Sequence, residues 1–242
     1  MSLSWFLIGL FLYLGALIQG AVGFGFALVA APLIMLFEPQ LIPGAVIIGG
    51  SSLTLAMCIQ DGRYADLSGV GWILVGLIPG MFLGGWALMV LPPRETALMF
   101  SVVVLLAVGL SLYGFPARPI PHHLIPAGLL SAFMNVTTTM GGPPLALIYQ
   151  NVSGPQLRGT LAVLFLLGNI LSIISVWQAG KLGMFQIQAG LIMIVPILLG
   201  LFTARRVVKW LDRGHTRAAV LLIAGSSALI ILVRAIWFPD SI

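Results

Sequence analysis

The stretch "NVTTTMGGPPLAL", residues 135–147, lies inside a segment of the chain that is otherwise almost entirely apolar. Consecutive Thr, paired Gly and paired Pro are poor residues for a helix interior, since β-branched side chains, glycine and proline each weaken the helix. Pro143 suits the first turn of a new helix, where its missing N–H is not needed. The stretch therefore predicts two helical halves with a break between Asn135 and Gly142.

The composition of the whole chain places this segment in a membrane. Of 242 residues, 60% are hydrophobic and 7% are charged, whereas soluble domains carry about 25% charged residues. A chain of this size cannot bury so much apolar sequence in a core, so lipid must be the solvent for most of it. We expect an all-α polytopic membrane protein.

The charged residues exclude several functional classes. The net charge of +5 is spread along loops without interleaved aromatics, so we expect contact with lipid headgroups and no nucleic acid. His122 and His123 are too sparse for a metal site, and no catalytic motif is present, so we expect no metal, no cofactor and no enzyme. All acidic residues fall at segment ends or in loops, which leaves no carboxylate for a proton relay or a sodium ion at mid-depth: Glu38, Asp61, Asp66, Glu95, Asp212 and Asp240.

Breaks rich in Pro, Gly and charged residues divide the chain into eight apolar segments. One crossing of the membrane takes roughly 20 residues. The segments are 4–37, 42–60, 68–91, 96–114, 123–150, 158–178, 184–204 and 216–237. The first would measure about 50 Å as one helix, longer than the hydrocarbon core is thick. It must tilt, break or fold back, and the glycines of "QGAVGFGF" (19–26) and Pro32 are the candidate break points.

An internal repeat divides the chain into halves. "VAAPL" lies 112 residues before "GGPPL", and "QDGR" lies 118 residues before "QAGK". Such self-similarity indicates a duplicated unit. We predict about eight transmembrane helices in two repeated four-helix halves, residues 1–116 and 117–242, which together form one transport domain. The first helix of each half is interrupted.

The number of crossings decides how the halves are related. Eight crossings make the halves parallel, and we favour this arrangement; if the first segment of each half turns back, the count becomes odd and the halves are inverted. Under eight crossings, Arg94 and Arg158 share one face while Arg63 and Arg234 lie on the other. The first face carries more Lys and Arg, so we expect it in the cytoplasm.

A helix break at membrane depth survives only where it is buried in protein or lines a wet cavity, because lipid cannot satisfy backbone N–H and C=O groups. The new helix start carries unpaired N–H groups and a positive dipole end, and glycine lets a ligand approach closely. These groups, with neighbouring hydroxyls and amides, favour a bound anion. The candidates are Asn135, Thr137, Thr138, Thr139, Gly141 and Gly142 in the second half, and Gln19, Gly23, Phe24 and Gly25 in the first.

Two further polar pairs occupy repeat-equivalent positions. Ser51 and Thr54 correspond to Asn169 and Ser172, and within each pair the residues share a helix face. If both faces line one cavity, a polar ring surrounds the breaks. Such residues also join membrane helices by hydrogen bonds, and for Ser51, Thr54 or Ser172 alone packing is the simpler interpretation. Arg158, at a segment edge, either snorkels to the interface or attracts an anion.

These motifs resemble those of the TauE/SafE family of sulfite and organosulfonate exporters. The resemblance rests on "GAVGFGFALVAAPL" (20–33), "TTTMGGPPLAL" (137–147) and "LRGTLAVLFLLGN" (157–169), and it covers nearly the whole chain. It implies transport of small sulfur-containing anions across the inner (plasma) membrane. "NVTTTMGG" replaces a more Gly-rich run of many members, and we expect this difference to tune substrate choice.

We therefore expect an exporter of sulfite or an organosulfonate such as sulfoacetate, with the anion bound between two broken helices. Uptake of thiosulfate or a small carboxylate is the alternative within transport. A non-transporting membrane scaffold is the alternative from another class. The expected partners are the anion and the lipid bilayer, and assembly into a homo-oligomer stays open.

Overall fold

The computed structural model describes residues 3–113, 119–207 and 213–237. Within these ranges the chain is helical and contains no strand, as the composition predicts. The helices are α1 (Leu3–Val22), α2 (Phe26–Phe37), α3 (Gly44–Asp61), α4 (Leu67–Val90), α5 (Pro93–Tyr113), α6 (Pro121–Thr138), α7 (Gly142–Ile148), α8 (Gly154–Gln178), α9 (Met184–Val207) and α10 (Arg213–Trp237). Short 3₁₀ turns, Pro39–Leu41 and Gly62–Tyr64, precede α3 and α4.

Several helices have the length and composition of membrane spans. Among the described residues, 6 helices qualify, and α2 and the described part of α10 add shorter apolar helices. The polytopic membrane class is therefore confirmed. The count of eight crossings and the repeated halves stay predictions.

The first long segment does not continue as one helix, because α2 folds back beside α1. The amide oxygen Oε1 of Gln19 accepts a hydrogen bond from the N–H of Phe26 at 3.1 Å. A methyl group on Gly15 would lie 2.7 Å from the Phe26 carbonyl oxygen, so the two helices pack backbone to backbone. Further along, the rings of Phe11 and Phe37 lie 5.9 Å apart. The segment is thus an antiparallel hairpin of a long helix and a short one.

The fifth segment forms a second hairpin, from α6 and α7. Helix α6 runs parallel to α4, since Gly76 packs on the Ile125 carbonyl and Gly84 packs near the Phe133 carbonyl. After the break the chain returns, because Tyr149, directly after α7, donates its hydroxyl to Asp66 at the start of α4 at 3.2 Å. The beginning of α6 and the end of α7 therefore lie at the same end of the molecule.

These hairpins overturn the assignment of arginines to faces. Arg158 Nε donates to Asp61 Oδ2 at 2.9 Å, which places Arg158 at the same end as the neighbouring Arg63. At the other end, Arg94 Nε donates to the Ala235 carbonyl at 3.0 Å, beside Arg234. We expected Arg158 and Arg63 on opposite faces, and likewise Arg94 and Arg234, and both expectations are wrong. The reason is that each long segment turns back rather than crossing once. The contacts agree with the alternative of folded-back first segments.

The two short helices lie in the interior of the molecule. Most residues of α2 and α7 are buried, and they pack against helices from both predicted halves. Glycines such as Gly80 and Gly128 let α4 and α6 approach until each glycine contacts a carbonyl of the other helix, the small-residue packing typical of membrane helices. Both helix breaks are thus enclosed by protein, as irregular backbone in lipid requires.

Candidate binding site

The first helix break is a three-residue turn between α1 and α2. Gly23 and Gly25 adopt φ angles of 105° and 118°, which only glycine adopts without strain. Phe24 lies between them. Pro32, the other candidate break point, lies inside α2 without interrupting it. Glycine chemistry therefore decides where this segment breaks.

Gln19 connects the two helices across this turn. Its Oε1 accepts from the Phe26 N–H, which is the first N–H of α2. A backbone N–H can only donate, so this bond fixes the orientation of the Gln19 amide, with Oε1 toward α2 and the NH₂ group directed elsewhere. The side chain is 6% exposed. Its NH₂ group has no hydrogen-bond partner among the described residues.

The second break lies between α6 and α7, inside the predicted range. Thr139 ends α6 with a left-handed φ of 62°, and its N–H donates to the Asn135 carbonyl at 2.9 Å. Ser131 Oγ donates to the Gly141 carbonyl at 2.6 Å and holds the turn against α6. Helix α7 begins at Gly142 with Pro143 in its first turn, as the sequence predicts.

The two breaks correspond in part. Gly23 and Thr139 both have a positive φ and are 116 residues apart, whereas Gly25 has a positive φ and Gly141 does not. The same spacing relates Gln19 to Asn135 and Gly25 to Gly141. The turns therefore match at a spacing of 116 residues, whereas the Pro-Leu motifs that follow them match at 112. The spacings differ because the first turn lies further before its Pro than the second turn does.

A cavity of about 40 Å³ lies between the two breaks. By volume it holds roughly three water molecules or an anion of about four non-hydrogen atoms. Of the predicted site residues, Gln19, Phe24, Gly25, Thr54, Asn135, Thr139, Gly141, Gly142 and Asn169 line it. The other lining residues are Phe26, Ala27, Leu28, Val46, Ile47, Gly50, Met140, Pro143 and Phe165.

An amide cluster forms one wall of the cavity. Asn135 Nδ2 donates to Asn169 Oδ1 at 3.1 Å and to Ser172 Oγ at 3.0 Å. This arrangement uses both amide hydrogens of Asn135. It leaves the NH₂ group of Asn169, a side chain that is 7% exposed, without a partner in the described structure. Ser172 does not line the cavity but positions Asn135 from behind.

Two side-chain donors therefore remain available at the cavity, the NH₂ groups of Gln19 and Asn169, and the hydroxyl of Thr139 is buried beside it without a partner. Thr139 is 8% exposed, and its Oγ1 is buried without a hydrogen-bond partner. A buried polar group without a partner costs about 1–3 kcal/mol. A small rotation of the Thr139 side chain would let water or a ligand in the cavity offset this cost.

The short helix α2 directs its N-terminus toward the cavity. Its internal hydrogen bonds begin with Val29, whose N–H donates to the Gly25 carbonyl at 3.3 Å. The N–H groups of the lining residues Ala27 and Leu28 thus precede the first helical bond. Helix α7 offers fewer donors, because Pro143 and Pro144 have no N–H and the helix has only 7 residues.

No charged side chain lines the cavity among the described residues. Phe24, Phe165 and Met140 contribute apolar surface opposite the amides. The cavity is therefore neutral, with hydrogen-bond donors on an apolar background. Such a site holds a small polar or anionic ligand through hydrogen bonds and the dipole of α2 rather than through an ion pair.

Six predicted residues lie outside the cavity lining: Gly23, Ser51, Thr137, Thr138, Arg158 and Ser172. Thr137 and Thr138 donate their hydroxyls back to the carbonyls of Phe133 and Met134, both at 2.8 Å. Ser51 likewise donates to a carbonyl of its own helix at 2.7 Å. Gly23 shapes the turn, and the side chain of Arg158 packs against it.

Arg158 is not a free cation. Its ion pair with Asp61 joins the start of α8 to the end of α3, and both side chains are partly exposed, at 25% and 21%. The aliphatic part of Arg158 lies beside Gly23, next to Phe24 of the cavity. The expected attraction of an anion is thus offset by the neighbouring carboxylate.

Sequence reasoning missed several apolar lining residues. The spacing of 118 residues that relates Ser51 to Asn169 also relates Ile47 to Phe165, and both Ile47 and Phe165 line the cavity. The predicted repeat therefore indicated that Ile47 and Phe165 occupy equivalent positions beside the site. Ala27, Leu28 and Met140 carry no such signal, since only the turn geometry brings them to the cavity.

Comparison with known proteins agrees with the resemblance in the sequence. The family model described as "Sulfite exporter TauE/SafE" matches residues 6–231, nearly the whole chain. No curated protein and no solved structure matches the chain.

Proposed function

The chain belongs to the TauE/SafE sulfite exporter family, and from this membership we propose that it exports sulfite or an organosulfonate such as sulfoacetate through the cavity between its two helix breaks. The family consists of transporters rather than enzymes. From the same family membership we infer that export takes place across the inner, or plasma, membrane. The observation that carries the proposal is the cluster of unpartnered donors in an uncharged interior cavity.

The donors fit the oxygen atoms of a sulfur oxyanion. Sulfite and sulfonate groups each present three oxygen acceptors around sulfur. Gln19, Asn169 and Thr139 line one cavity, and the NH₂ groups of the first two and the buried hydroxyl of the third have no hydrogen-bond partner in the described structure. Hydrogen bonds to a charged group contribute about 1.5–3 kcal/mol each. An oxyanion therefore supplies acceptors for donors that have no partner within the described protein.

The cavity volume supports a small head group. About 40 Å³ accommodates the non-hydrogen atoms of sulfite, whereas sulfoacetate is too large for this volume. We expect larger substrates to bind in a more open conformation, with the sulfonate group between the breaks.

Export of an anion needs no coupling ion in a cell whose interior is negative. Moving one elementary charge through the membrane potential is worth about 2.3 kcal/mol for each 100 mV. The cavity carries no carboxylate among its described residues that could bind a proton or sodium ion. We therefore propose electrogenic export driven by the membrane potential.

Flux into proteoliposomes tests the proposal. Purified protein should carry sulfite in response to an imposed potential without a proton or sodium gradient, and empty liposomes should not. Thiosulfate, sulfoacetate and acetate serve as competitors, and stronger competition by thiosulfate or acetate than by sulfite would indicate the uptake alternative. Flux that requires a cation gradient at zero potential would contradict the proposed mechanism, and absence of flux for every anion would favour the scaffold.

A further inference from the structure

We propose that the cavity selects the monovalent form of its oxyanion, so that bisulfite rather than the sulfite dianion is the bound species. This inference rests on the proposed function and specifies the protonation state of the substrate. Sulfite takes up a proton close to neutral pH, so both forms are present in a cell. The selection follows from the charge and the donor inventory of the cavity.

The first argument is the cost of removing charge from water. The penalty for transferring an ion into a region of low polarity rises with the square of its charge, so a dianion loses about four times the hydration free energy of a monoanion of the same size. A site that offers neither a cation nor enough donors to replace this hydration therefore favours the monoanion. The residues that the structure places around the cavity are neutral.

No titratable group faces the cavity from the surrounding helices in the described parts of the chain. The lining residues come from α1, α2, α3, α6, α7 and α8 and from the two breaks, and they include no Asp, Glu, His, Lys, Arg, Cys or Tyr. The charged pair beside the first break, Arg158 and Asp61, is mutually neutralised at 2.9 Å. The dipole of α2 supplies only a partial positive charge.

The second argument is that acceptors lie beside the donors. Asn135 donates both of its amide hydrogens, and its Oδ1 has no hydrogen-bond partner in the described structure. Thr54 donates its hydroxyl to the Ser51 carbonyl at 3.1 Å, so only its lone pairs remain for the cavity. A protonated oxyanion brings an O–H that satisfies one such acceptor. A dianion brings no O–H group, and its negative charge is repelled by the partial negative charge of these oxygens.

Thermal stabilisation of the purified protein tests the selection with three probes. Methanesulfonate is a permanent monoanion, sulfate stays a dianion near neutral pH, and sulfite changes its charge. Each is titrated one pH unit below and one unit above the midpoint of bisulfite ionisation, relative to protein without anion at the same pH. A ligand of the folded state raises the free energy of unfolding with the logarithm of one plus the ratio of its concentration to Kd.

We expect methanesulfonate to bind with the same apparent Kd at both pH values and sulfate to give no stabilisation. The apparent Kd of total sulfite should rise about tenfold from the lower to the higher pH, because the competent fraction falls by that factor. Methanesulfonate also controls for any titration of the protein. Sulfite that binds equally well or more tightly at the higher pH, or sulfate that binds as well as methanesulfonate, would overturn the selection of monoanions. Binding by none of the three would instead refute the proposed function, and the selection with it.

Discussion

At the scale of the residue, the three consecutive threonines differ in what their hydroxyls contact. Thr137 and Thr138 lie within α6 and donate to carbonyls four residues earlier. Thr139 ends the helix in a left-handed conformation, which turns its side chain away from the helical carbonyls. Its hydroxyl is the one of the three without a partner, and Thr139 is the one of the three residues that lines the cavity.

Replacing Thr139 with Val tests whether that hydroxyl binds the anion. Valine keeps the shape and the β-branch, so the backbone strain at φ 62° is unchanged. We expect sulfite affinity to fall about tenfold or more, from loss of a hydrogen bond to a charged group worth about 1.5–3 kcal/mol, while stability without anion is unchanged or higher because an unpaired hydroxyl is removed. The matched control Thr137→Val should lose stability and keep its affinity. Equal affinities of wild type and Thr139→Val would contradict the assignment.

Replacing Asn169 with Asp tests the neutrality of the cavity. The carboxylate keeps the size and the acceptor for Asn135 Nδ2, but it removes the NH₂ donor and adds negative charge. Like charges in a desolvated site oppose each other by several kcal/mol, so we expect anion binding to weaken roughly a hundredfold or more. Asn151→Asp, in the exposed loop before α8, is the control with the same charge change. Retained binding in Asn169→Asp would place the anion elsewhere.

At the scale of the element, the helix breaks depend on different local chemistry. The first break uses two glycines of positive φ, and the second uses Thr139, the only described residue other than glycine with positive φ. A strained non-glycine residue persists where surrounding contacts over-determine it. At the second break these contacts are the Ser131 bond to Gly141 and the packing of Gly141 on Asn135.

The substitution Gly23→Ala should disturb the first break. Alanine is strained at a φ of 105°, and its methyl group would approach Arg158 Cγ to 3.1 Å. We expect unfolding free energy in detergent to fall by about 1–3 kcal/mol and sulfite flux to fall with it. Gly71→Ala provides the control, since a methyl group there meets nothing within 4 Å and the helix tolerates alanine. Equal stability of both variants would show that the turn does not require glycine.

At the scale of the whole molecule, polar contacts join the two predicted halves at one end of the bundle. Arg158 pairs with Asp61, and the Asp66 N–H donates to Thr160 Oγ1 at 3.0 Å. Tyr149 donates to the Asp66 carboxylate at 3.2 Å. The loop between α3 and α4 is thereby held against α7 and α8, on the side where Gly23 meets Arg158.

A double-mutant cycle of Asp61→Asn and Arg158→Gln measures the ion pair. Because both side chains are partly exposed, solvent screens the pair, and we expect a coupling free energy of about 0.5–1 kcal/mol that shrinks as salt is added. Thermal unfolding at low and high salt measures it. Coupling that is absent at low salt would mean that the pair contributes nothing to holding α3 against α8.

Local chemistry made the positions of the breaks predictable. Glycines in "QGAVGFGF" and the Gly-Pro pairs of "TTTMGGPP" weaken a helix, and the structure breaks the chain there, although the pairs Gly49-Gly50 and Gly84-Gly85 lie inside the continuous helices α3 and α4. The membrane class was predictable for a similar reason, since hydropathy is a property of composition. Nine of the predicted site residues line one cavity. Most of these residues flank the helix breaks or lie on the faces of α3 and α8 that are directed toward the breaks.

The sequence by itself thus determined the helical membrane class, the family motifs and the places where helices are interrupted. Only the tertiary structure decided that α2 and α7 turn back, which ends of the helices meet, and that Thr139 rather than Thr137 or Thr138 faces the cavity. The physical reason is that a helix has the same hydropathy whichever direction it runs through the membrane. Direction after a break depends on packing and hydrogen bonds between distant residues, such as Gln19 with Phe26 and Arg158 with Asp61.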